Sequence, residues 1–265
     1  LPENNKLRFL PNALLTPHLG ASTEEAKEGV SISICQQLKS YLIDEKLENA
    51  INIPFGGLSR IKDLELSLKL SETIGRIQSQ INKGVIKKVQ VECSGTLEDT
   101  KPVALAFLKG FLASRIPDRI NYINSEALAI DLGIKIEHSY TNDSGSYTNL
   151  IRTRVSGENE ATRIAGSIFD HNKPRLVNIL GFDIDVEPSG FMLFAINDDV
   201  PGVIGKIGSV LGESKINISG YILSRIENNR AFSVIRVERV IPEETLNLIL
   251  EIPEINSLQQ LSCDE

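Results

Sequence analysis

The feature that most constrains the fold is a regular alternation of strand and helix patterns at the C-terminal end. Residues 191–196 form an apolar strand pattern, and Pro201 follows at a position where the first turn of a helix tolerates proline. Further patterns predict a helix near 203–211, strands at 216–224 and 231–239, a helix at 242–250 and a strand at 255–261. This βαββαβ order predicts a ferredoxin-like domain.

The middle of the chain predicts a mixed domain that begins where proline and paired glycines interrupt the pattern at residues 54–57. Helical patterns lie at 64–82, 102–114 and 124–132. Strand patterns lie at 85–93, 134–138, 150–155, 161–168 and 176–180. Together they predict an α+β domain with a largely antiparallel sheet.

The N-terminal residues predict a short strand at 12–18 followed by one long helix. Ser22 and Glu25 have the spacing of a capping box, and apolar residues then recur every four positions from Ala26 to Leu42. Cys35 lies on this helix and is expected to be buried. The chain starts with Leu1 and its first strand has no earlier strand to pair with, so we expect a fragment of a longer protein.

The composition narrows the class of protein. The net charge of -7 argues against a general attraction to nucleic acid or anionic lipid. No apolar run reaches the roughly 18 residues that would span a bilayer. The three cysteines are odd in number and far apart, and His138 and His171 lack ligand spacing. We therefore expect a cytoplasmic protein without disulfides or a metal site, and with no nucleic-acid or membrane partner.

Two segments carry a resemblance to a known family. The run Thr-Pro-His-Leu-Gly-Ala-Ser-Thr-Glu-Glu-Ala at 16–26 resembles the histidine segment of NAD-dependent 2-hydroxyacid dehydrogenases, the D-3-phosphoglycerate dehydrogenases in particular. Residues 200–208 and 215–218 resemble the ACT domain of the same enzymes, and the stretch between looks like the extra domain of their longest subclass. The resemblance implies a catalytic-core remnant at 1–53, an intervening domain at 54–188 and an ACT domain at 189–265.

The resemblance implies oxidation of 3-phospho-D-glycerate with NAD, the first step of L-serine synthesis, in an enzyme that forms tetramers. His18 is the catalytic candidate, because a histidine can take the hydroxyl proton while hydride leaves. Its partner carboxylate and the substrate-binding arginine lie upstream in the family, outside this chain. The glycines at 202, 205 and 208 lack the G-x-G-x-x-G spacing of a dinucleotide site and are expected to allow close helix–sheet packing. The chain alone is expected to be inactive.

The same resemblance places an effector site in the ACT domain. Asn197, Asp199 and Asn217 match the positions that hold L-serine between two ACT domains in the family. Asp199 suits the ammonium group, and a helix N-terminus nearby suits the carboxylate. The alternative is that Asp199 only caps the helix that Pro201 begins.

A phosphate site in the intervening domain is a further expectation from the resemblance. Arg175 matches a basic position of the family, and Lys173 lies beside it. A second basic position is occupied here by Glu187, which weakens the match.

Arg152 and Arg154 share one face of a strand, because strand side chains repeat every two residues. They either assist the phosphate site or pair with Glu158 and Glu160 nearby.

Three functions remain open from the sequence. The leading one is the regulatory part of an enzyme, which His18 and its flanking segment favour. The others are a non-catalytic module that senses an amino acid and a domain that serves assembly alone.

Overall fold

A computed structural model of the chain describes residues 5–17, 19–44, 58–158, 160–170, 172–226 and 229–264. The chain divides into two compact units, Leu1–Asn52 and Ile53–Glu265. The three-domain division stays a prediction, and the second unit contains both the region assigned to an intervening domain and the region assigned to an ACT domain.

The first unit contains a short 3-10 helix, Lys6–Phe9, and the helix α1, Glu24–Asp44. The predicted long helix is confirmed, but residues 13–16 form no strand. The capping box is wrong in its register, because the Ala26 N–H donates to Thr23 Oγ1 at 3.1 Å. Thr23 therefore caps the helix in place of Ser22. His18 lies outside the described residues.

The second unit begins with a six-stranded sheet and three helices. The helices are α2 (Leu58–Ile81), α3 (Thr100–Ala113) and α4 (Ser125–Asp131). The strands are β1 (Lys88–Gly95), β2 (Lys135–Thr141), β3 (Asn149–Ser156), β4 (Ala161–Phe169), β5 (Lys173–Ile179) and β6 (Phe182–Val186). Their order is β2-β1-β3-β4-β5-β6, and the β1–β2 pair is parallel while the other pairs are antiparallel. The predicted α+β class with a largely antiparallel sheet is confirmed.

One face of this sheet is buried by α2 and α3. In β1, Val89, Val91 and Cys93 alternate toward the helices and are almost fully buried. Phe107 and Phe111 of α3 stack in the same core, with ring centroids 5.6 Å apart. The opposite face of the sheet is consequently the polar one.

The C-terminal part forms the predicted βαββαβ arrangement. It contains β7 (Phe191–Asp198), α5 (Val203–Glu213), β8 (Ile218–Ile226), β9 (Arg230–Val237), α6 (Glu243–Leu250) and β10 (Ile255–Ser262). The sheet order is β10-β7-β9-β8, and the three neighbouring pairs are antiparallel. Across the described ranges no helix is both long enough and apolar enough to cross a membrane.

The two sheets share a core because β7 and β9 are buried on both faces. Leu193 and Ile235 pack with the helices α5 and α6. On the other face, Phe194 and Phe232 belong to the same core as Phe107. The rings of Phe182 and Phe232 join β6 to this face, with centroids 4.8 Å apart. The C-terminal sheet is therefore held against the first one by apolar contacts.

The free edge of β10 is covered by side chains of α2. Gln80 Nε2 donates to the Ser262 carbonyl at 2.8 Å, and the Ser262 N–H donates to Gln80 Oε1 at 2.9 Å. Arg76 Nη1 donates to the carbonyl of Cys263 at 2.7 Å. The Gln80 amide thus pairs with β10 as a neighbouring strand would, whereas β8, at the other end of the sheet, pairs only with β9 among the described strands.

The three cysteines differ sharply in environment. Burial raises the pKa of Cys93 and of Cys263 to about 12, and both side chains are at most 1% exposed. Cys35 is exposed, so the expectation of a buried Cys35 is wrong.

At pH 8 we expect iodoacetamide to modify Cys35 alone in the folded chain, because the thiolate is the reactive form and the other two thiols stay protonated and covered. Mass spectrometry should count one adduct before unfolding and three after it. Two or more adducts in the folded chain would contradict this assignment.

Because both buried thiols have raised pKa values, the free energy of unfolding should fall as the pH rises above their usual value of 9.0.

Candidate functional site

The loop after β7 places polar groups at the N-terminus of α5. The Asp199 N–H donates to the Asn229 carbonyl at 2.8 Å, and the Asp198 N–H donates to the Glu254 carbonyl at 2.9 Å. Gly202 has a φ of 98°, in the left-handed region, and α5 begins directly after it. The first N–H groups of α5 have no intrahelical acceptor, so this end of the helix favours a negative group.

Asp199 does not cap α5, because Gly202 occupies the N-cap position without a side-chain hydrogen bond. That alternative for Asp199 is therefore wrong. Its Oδ2 lies 3.0 Å from Arg225 Nε, and the Arg225 side chain is 72% exposed. A carboxylate and a guanidinium thus lie side by side near the end of β7, and the guanidinium is open to solvent.

Asn197 belongs to strand β7 and is buried, with 2% of its surface exposed. Its Oδ1 accepts from Ser233 Oγ at 3.3 Å, and its Nδ2 donates to the Asp198 carbonyl at 2.8 Å. The Tyr221 hydroxyl donates to Ser233 Oγ at 3.0 Å, and burial raises the pKa of Tyr221. Asn197 therefore fixes the strand end below the loop rather than presenting its amide to solvent.

The alternation of side chains along β7 could have indicated that Asn197 is buried. Leu193, Ala195 and Asn197 alternate on one face of β7, and the first two are apolar residues that are fully buried. Ser233 and Tyr221 carried no comparable signal, because their contact with Asn197 depends on the register of β8 and β9.

Asn217 lies at the other end of the same sheet. It precedes β8, and its Nδ2 donates to Glu238 Oε1 at 2.5 Å. The register pairs Ile218 with Val237 and Val237 with Phe191, the first residue of β7. Asp199 follows the last residue of β7, and a strand of 8 residues spans roughly 25 Å. A single copy of the chain therefore does not bring Asn217 and Asp199 together.

The glycines at 205 and 208 do not serve helix–sheet packing. A Cβ built at either position meets nothing within 4 Å. The expectation that they allow close packing is wrong, and they lie on the open side of α5.

The basic residues predicted for a phosphate site are engaged with acidic neighbours. Lys173 Nζ lies 2.8 Å from Asp170 Oδ2, and Arg175 Nε lies 3.6 Å from Asp185 Oδ1. Glu187 accepts from Arg236 Nη1 at 3.2 Å. Glu187 thus connects the end of β6 to β9 of the C-terminal sheet.

Arg152 does not pair with Glu158 or Glu160. Its Nη1 donates to Glu92 Oε1 and to the Asp143 carbonyl, both at 3.0 Å. Glu158 pairs with Lys87 at 3.1 Å. The predicted pairing with the acids of the β3–β4 turn is therefore wrong for Arg152.

His138 shares a hydrogen bond of 2.8 Å between its Nδ1 and Thr100 Oγ1, at the exposed edge strand β2. His171 lies outside the described residues. Where side chains are described, no three His, Cys, Asp or Glu residues are grouped in a way that could hold a metal ion.

Comparison with known proteins identifies residues 63–180 of the second unit. The family model of the D-3-phosphoglycerate dehydrogenase intervening domain matches residues 63–180, which contain most of α2 and the strands β1 to β5. A D-3-phosphoglycerate dehydrogenase of Synechocystis is 33% identical over 95% of this chain, and one of Methanocaldococcus jannaschii is 31% identical over 97%. The chain belongs to the D-3-phosphoglycerate dehydrogenase family. It matches a C-terminal portion of such enzymes.

The chain aligns with only part of the length of each related dehydrogenase. The chain spans 46% of the Synechocystis dehydrogenase, 49% of the Methanocaldococcus enzyme and 50% of a Bacillus subtilis relative that is 28% identical. Arg175 and Lys173 fall inside the intervening-domain match, whereas Asn197, Asp199 and Asn217 lie beyond it. About half the length of a family member is therefore represented here, and the roles of these residues stay predictions.

Proposed function

We propose that the chain is the regulatory C-terminal part of an NAD-dependent D-3-phosphoglycerate dehydrogenase and that two copies bind L-serine between their C-terminal sheets. In the whole enzyme His18 would take the proton from the hydroxyl of 3-phosphoglycerate. NAD would be held mainly by the part of the enzyme upstream of this chain. The observation that carries the regulatory proposal is the position of Asp199 and Asn217 at opposite ends of β8.

Antiparallel pairing of two copies of β8 would unite these two residues. A two-fold axis near Ile222 sets Ile218 of one copy opposite Ile226 of the other, because β8 runs from 218 to 226. Asn217 of the second copy then lies at the end of the sheet where Asp199 and Arg225 meet. Among the described strands β8 has a hydrogen-bonded neighbour on one side only, so its other edge is suited to this pairing, whereas Gln80 occupies the edge of β10.

The chemistry of this junction suits an amino-acid zwitterion. Asp199 can accept from the ammonium group, while Arg225 and the N-terminus of α5 favour the carboxylate. The amide of Asn217 both donates and accepts, which matches the hydroxyl of serine. Arg225 is the one charged residue of this set that sequence reasoning missed.

Coupling to the catalytic part follows from linkage. If serine binds preferentially to one state of the paired sheets and substrate to another, each ligand weakens the binding of the other. The two effects are equal in free energy. Glu187 and Gln80 both tie the C-terminal sheet to the intervening domain. A change in the pairing of β8 would therefore act on α2 and β6 through the hydrogen bonds of Gln80 and Glu187.

Replacing Asn217 by alanine is expected to weaken serine binding by up to about tenfold, because one hydrogen bond to the ligand contributes about 0.5–1.5 kcal/mol. Isothermal titration calorimetry of the whole chain measures this affinity. Asn247→Ala is the matched control, since Asn247 is an exposed residue of α6 outside the junction. Equal affinities of the parent chain and Asn217→Ala would contradict the site.

A domain that serves assembly alone is the second candidate, and the side of β8 that has no neighbour among the described strands favours it as well. Light scattering after size exclusion separates the two functions. Pairing that is identical with and without serine, together with no heat of serine binding, would leave assembly as the function.

A further inference from the structure

Strand β2 ends the six-stranded sheet on one side, and β1 is its only neighbour among the described strands. It has 7 residues and follows β1 in an unbroken register from Lys135 to Thr141. The sheet ends on the other side at β6, which has 5 residues and joins β5 through a register shift. Short length and irregular register protect an edge strand from pairing with another chain. Strand β2 has neither protection.

The backbone of β2 directs three residues toward the edge that faces away from β1. The Lys135 N–H donates to the Lys87 carbonyl, just before β1, at 2.8 Å. Successive residues of a strand direct their N–H and C=O groups to alternate sides, so Ile136, His138 and Tyr140 direct theirs away from β1. This edge therefore presents donors and acceptors with the spacing that an antiparallel strand requires.

The polar face of β2 carries opposite charges two residues apart. Lys135 Nζ lies 2.9 Å from Glu137 Oε1, and Lys88 Nζ lies 2.7 Å from Glu137 Oε2. Hydrogen bonds from Lys88 and Lys135 lower the pKa of Glu137 to about 2, so its carboxylate is charged at neutral pH. A strand with this order of charges is complementary to itself when two copies run antiparallel, because each cation can then lie opposite an anion.

We propose that β2 pairs antiparallel with β2 of a second copy of the chain, about a two-fold axis at Ile136. In this register Lys135 of each copy lies opposite Glu137 of the other. Ile136 lies opposite its own counterpart as a hydrogen-bonded pair. Lys135 and Glu137 then occupy the non-hydrogen-bonded positions, where opposed side chains are closest. The six-stranded sheets of two chains would thus form one continuous sheet.

Exposed apolar side chains beside β2 support a second copy as the occupant of this edge. The Ile134 N–H donates to the Ala129 carbonyl at 3.0 Å, so the last turn of α4 lies against the start of β2. Ile130 and Leu132, at the end of this helix, are 61% and 48% exposed, and Tyr140 is 40% exposed. The proposed register brings Leu132 of one copy toward Tyr140 of the other. Pairing would therefore cover apolar surface of both copies.

A two-fold axis at His138 is the alternative register. It would place Lys135 opposite Thr141 and would leave Glu137 without an opposite charge across the axis. It would also set the two copies of His138 directly opposite each other. The complementarity of the charges therefore favours the axis at Ile136.

This contact is separate from the pairing of β8 that is proposed for serine. Strand β2 belongs to the six-stranded sheet and β8 to the C-terminal sheet. The contact at β2 needs no ligand, and a cross-link placed in β2 reports nothing about β8. Failure of either proposal therefore leaves the other intact.

Disulfide trapping in the whole chain tests the contact, because it detects a pair that forms only part of the time. Lys135→Cys and Glu137→Cys are made separately in a Cys35→Ser background, which removes the exposed native thiol. Opposed residues in non-hydrogen-bonded positions have Cα atoms about 4.5 Å apart, within the reach of a disulfide. Under oxidation by copper phenanthroline, we expect a mixture of the two variants to form cross-linked pairs on a non-reducing gel.

Each variant alone should form few cross-links. Two copies of the same position lie two residues out of register, with Cα atoms about 7–8 Å apart, which is too far for an unstrained disulfide. Thr141→Cys mixed with Lys135→Cys is the register control and should also cross-link poorly. Preferential cross-linking of positions 135 and 141 would overturn the axis at Ile136, and the absence of cross-links in both mixtures would overturn the contact itself.

A charge exchange tests the complementarity without added cysteines. Lys135→Glu and Glu137→Lys each place like charges opposite each other when the variant pairs with itself, whereas a mixture of the two restores both opposite-charge pairs. Energy transfer between donor-labelled and acceptor-labelled chains measures pairing, and β8 contributes equally to every sample. We expect the mixture to associate about threefold or more tightly than either variant alone. Equal association in the three samples would overturn the charge complementarity, and an unchanged circular dichroism spectrum verifies that each variant is folded.

Discussion

Replacing Gly110 by alanine is expected to lower the free energy of unfolding by at least about 1–3 kcal/mol, because the new methyl group has no space between α2 and α3. A Cβ at Gly110 would lie 1.9 Å from the backbone oxygen of Glu72. The same crossing is tight from the other side, where a Cβ at Gly75 would lie 2.1 Å from the backbone oxygen of Phe107. Both obstacles are helix backbone, so relief requires the two helices to move apart.

Urea unfolding followed by circular dichroism measures the loss at Gly110, and Gly208→Ala is the matched control. Gly208 also lies inside a helix, but a Cβ there meets nothing within 4 Å. The control should therefore raise stability by roughly 0.5–1 kcal/mol, the usual gain of alanine over glycine in a helix interior. Equal effects of the two substitutions would contradict the close helix crossing.

The crossing matters for function because α2 contacts both sheets. Its apolar side packs against β4, where Ile74 and Leu70 lie against Gly166. Its polar side chains reach β10 through Gln80 and Arg76. A wider α2–α3 separation would therefore displace the contacts between the intervening domain and the C-terminal sheet.

Most elements of the second unit were predictable from periodicity, and β6 shows where that signal stops. The strand pattern at 176–180 was visible, but the structure turns at Leu180 and Gly181 and pairs Ile179 with Phe182. Leu180 has a φ of 55° and Gly181 a φ of 93°, so both residues of this two-residue loop are left-handed. Asn-Gly or Asp-Gly would have indicated such a turn, whereas leucine at its first position gives no signal.

Two residues of the candidate site, Asp199 and Asn217, were predictable from the sequence, but their geometry was not. The loop at Asp199 and the asparagine at 217 follow from local patterns and from the family resemblance. Their placement at opposite ends of β8 depends on the order β10-β7-β9-β8, which no local pattern contains. The partner of Asp199, Arg225, is brought near by the same register. These contacts depend on which strands pair and in which register. Both are set by the packing of the whole sheet.

Replacing Gln80 by methionine is expected to destabilise the chain by about 1–3 kcal/mol, because it leaves the Ser262 N–H and carbonyl without their partner. Methionine keeps the length and unbranched shape of glutamine, so the substitution removes the two hydrogen bonds to Ser262, and the one that Gln80 Nε2 donates to the Arg76 carbonyl, with little change in volume. Hydrogen exchange at the Ser262 amide should become faster than in the parent chain. Gln36→Met, on the exposed face of α1, is the matched control and should change neither quantity.

The same substitution tests why the proposed pairing of two copies uses β8 rather than β10. With Gln80 in place, the edge of β10 is satisfied at Ser262 and offers little to a second chain. Without it, both edges of the C-terminal sheet are open, and assemblies larger than a pair should form as the concentration rises. Light scattering of Gln80→Met across a concentration series measures this. A variant that keeps the size of the parent chain, with unchanged exchange at Ser262, would mean that the glutamine amide does not protect this edge.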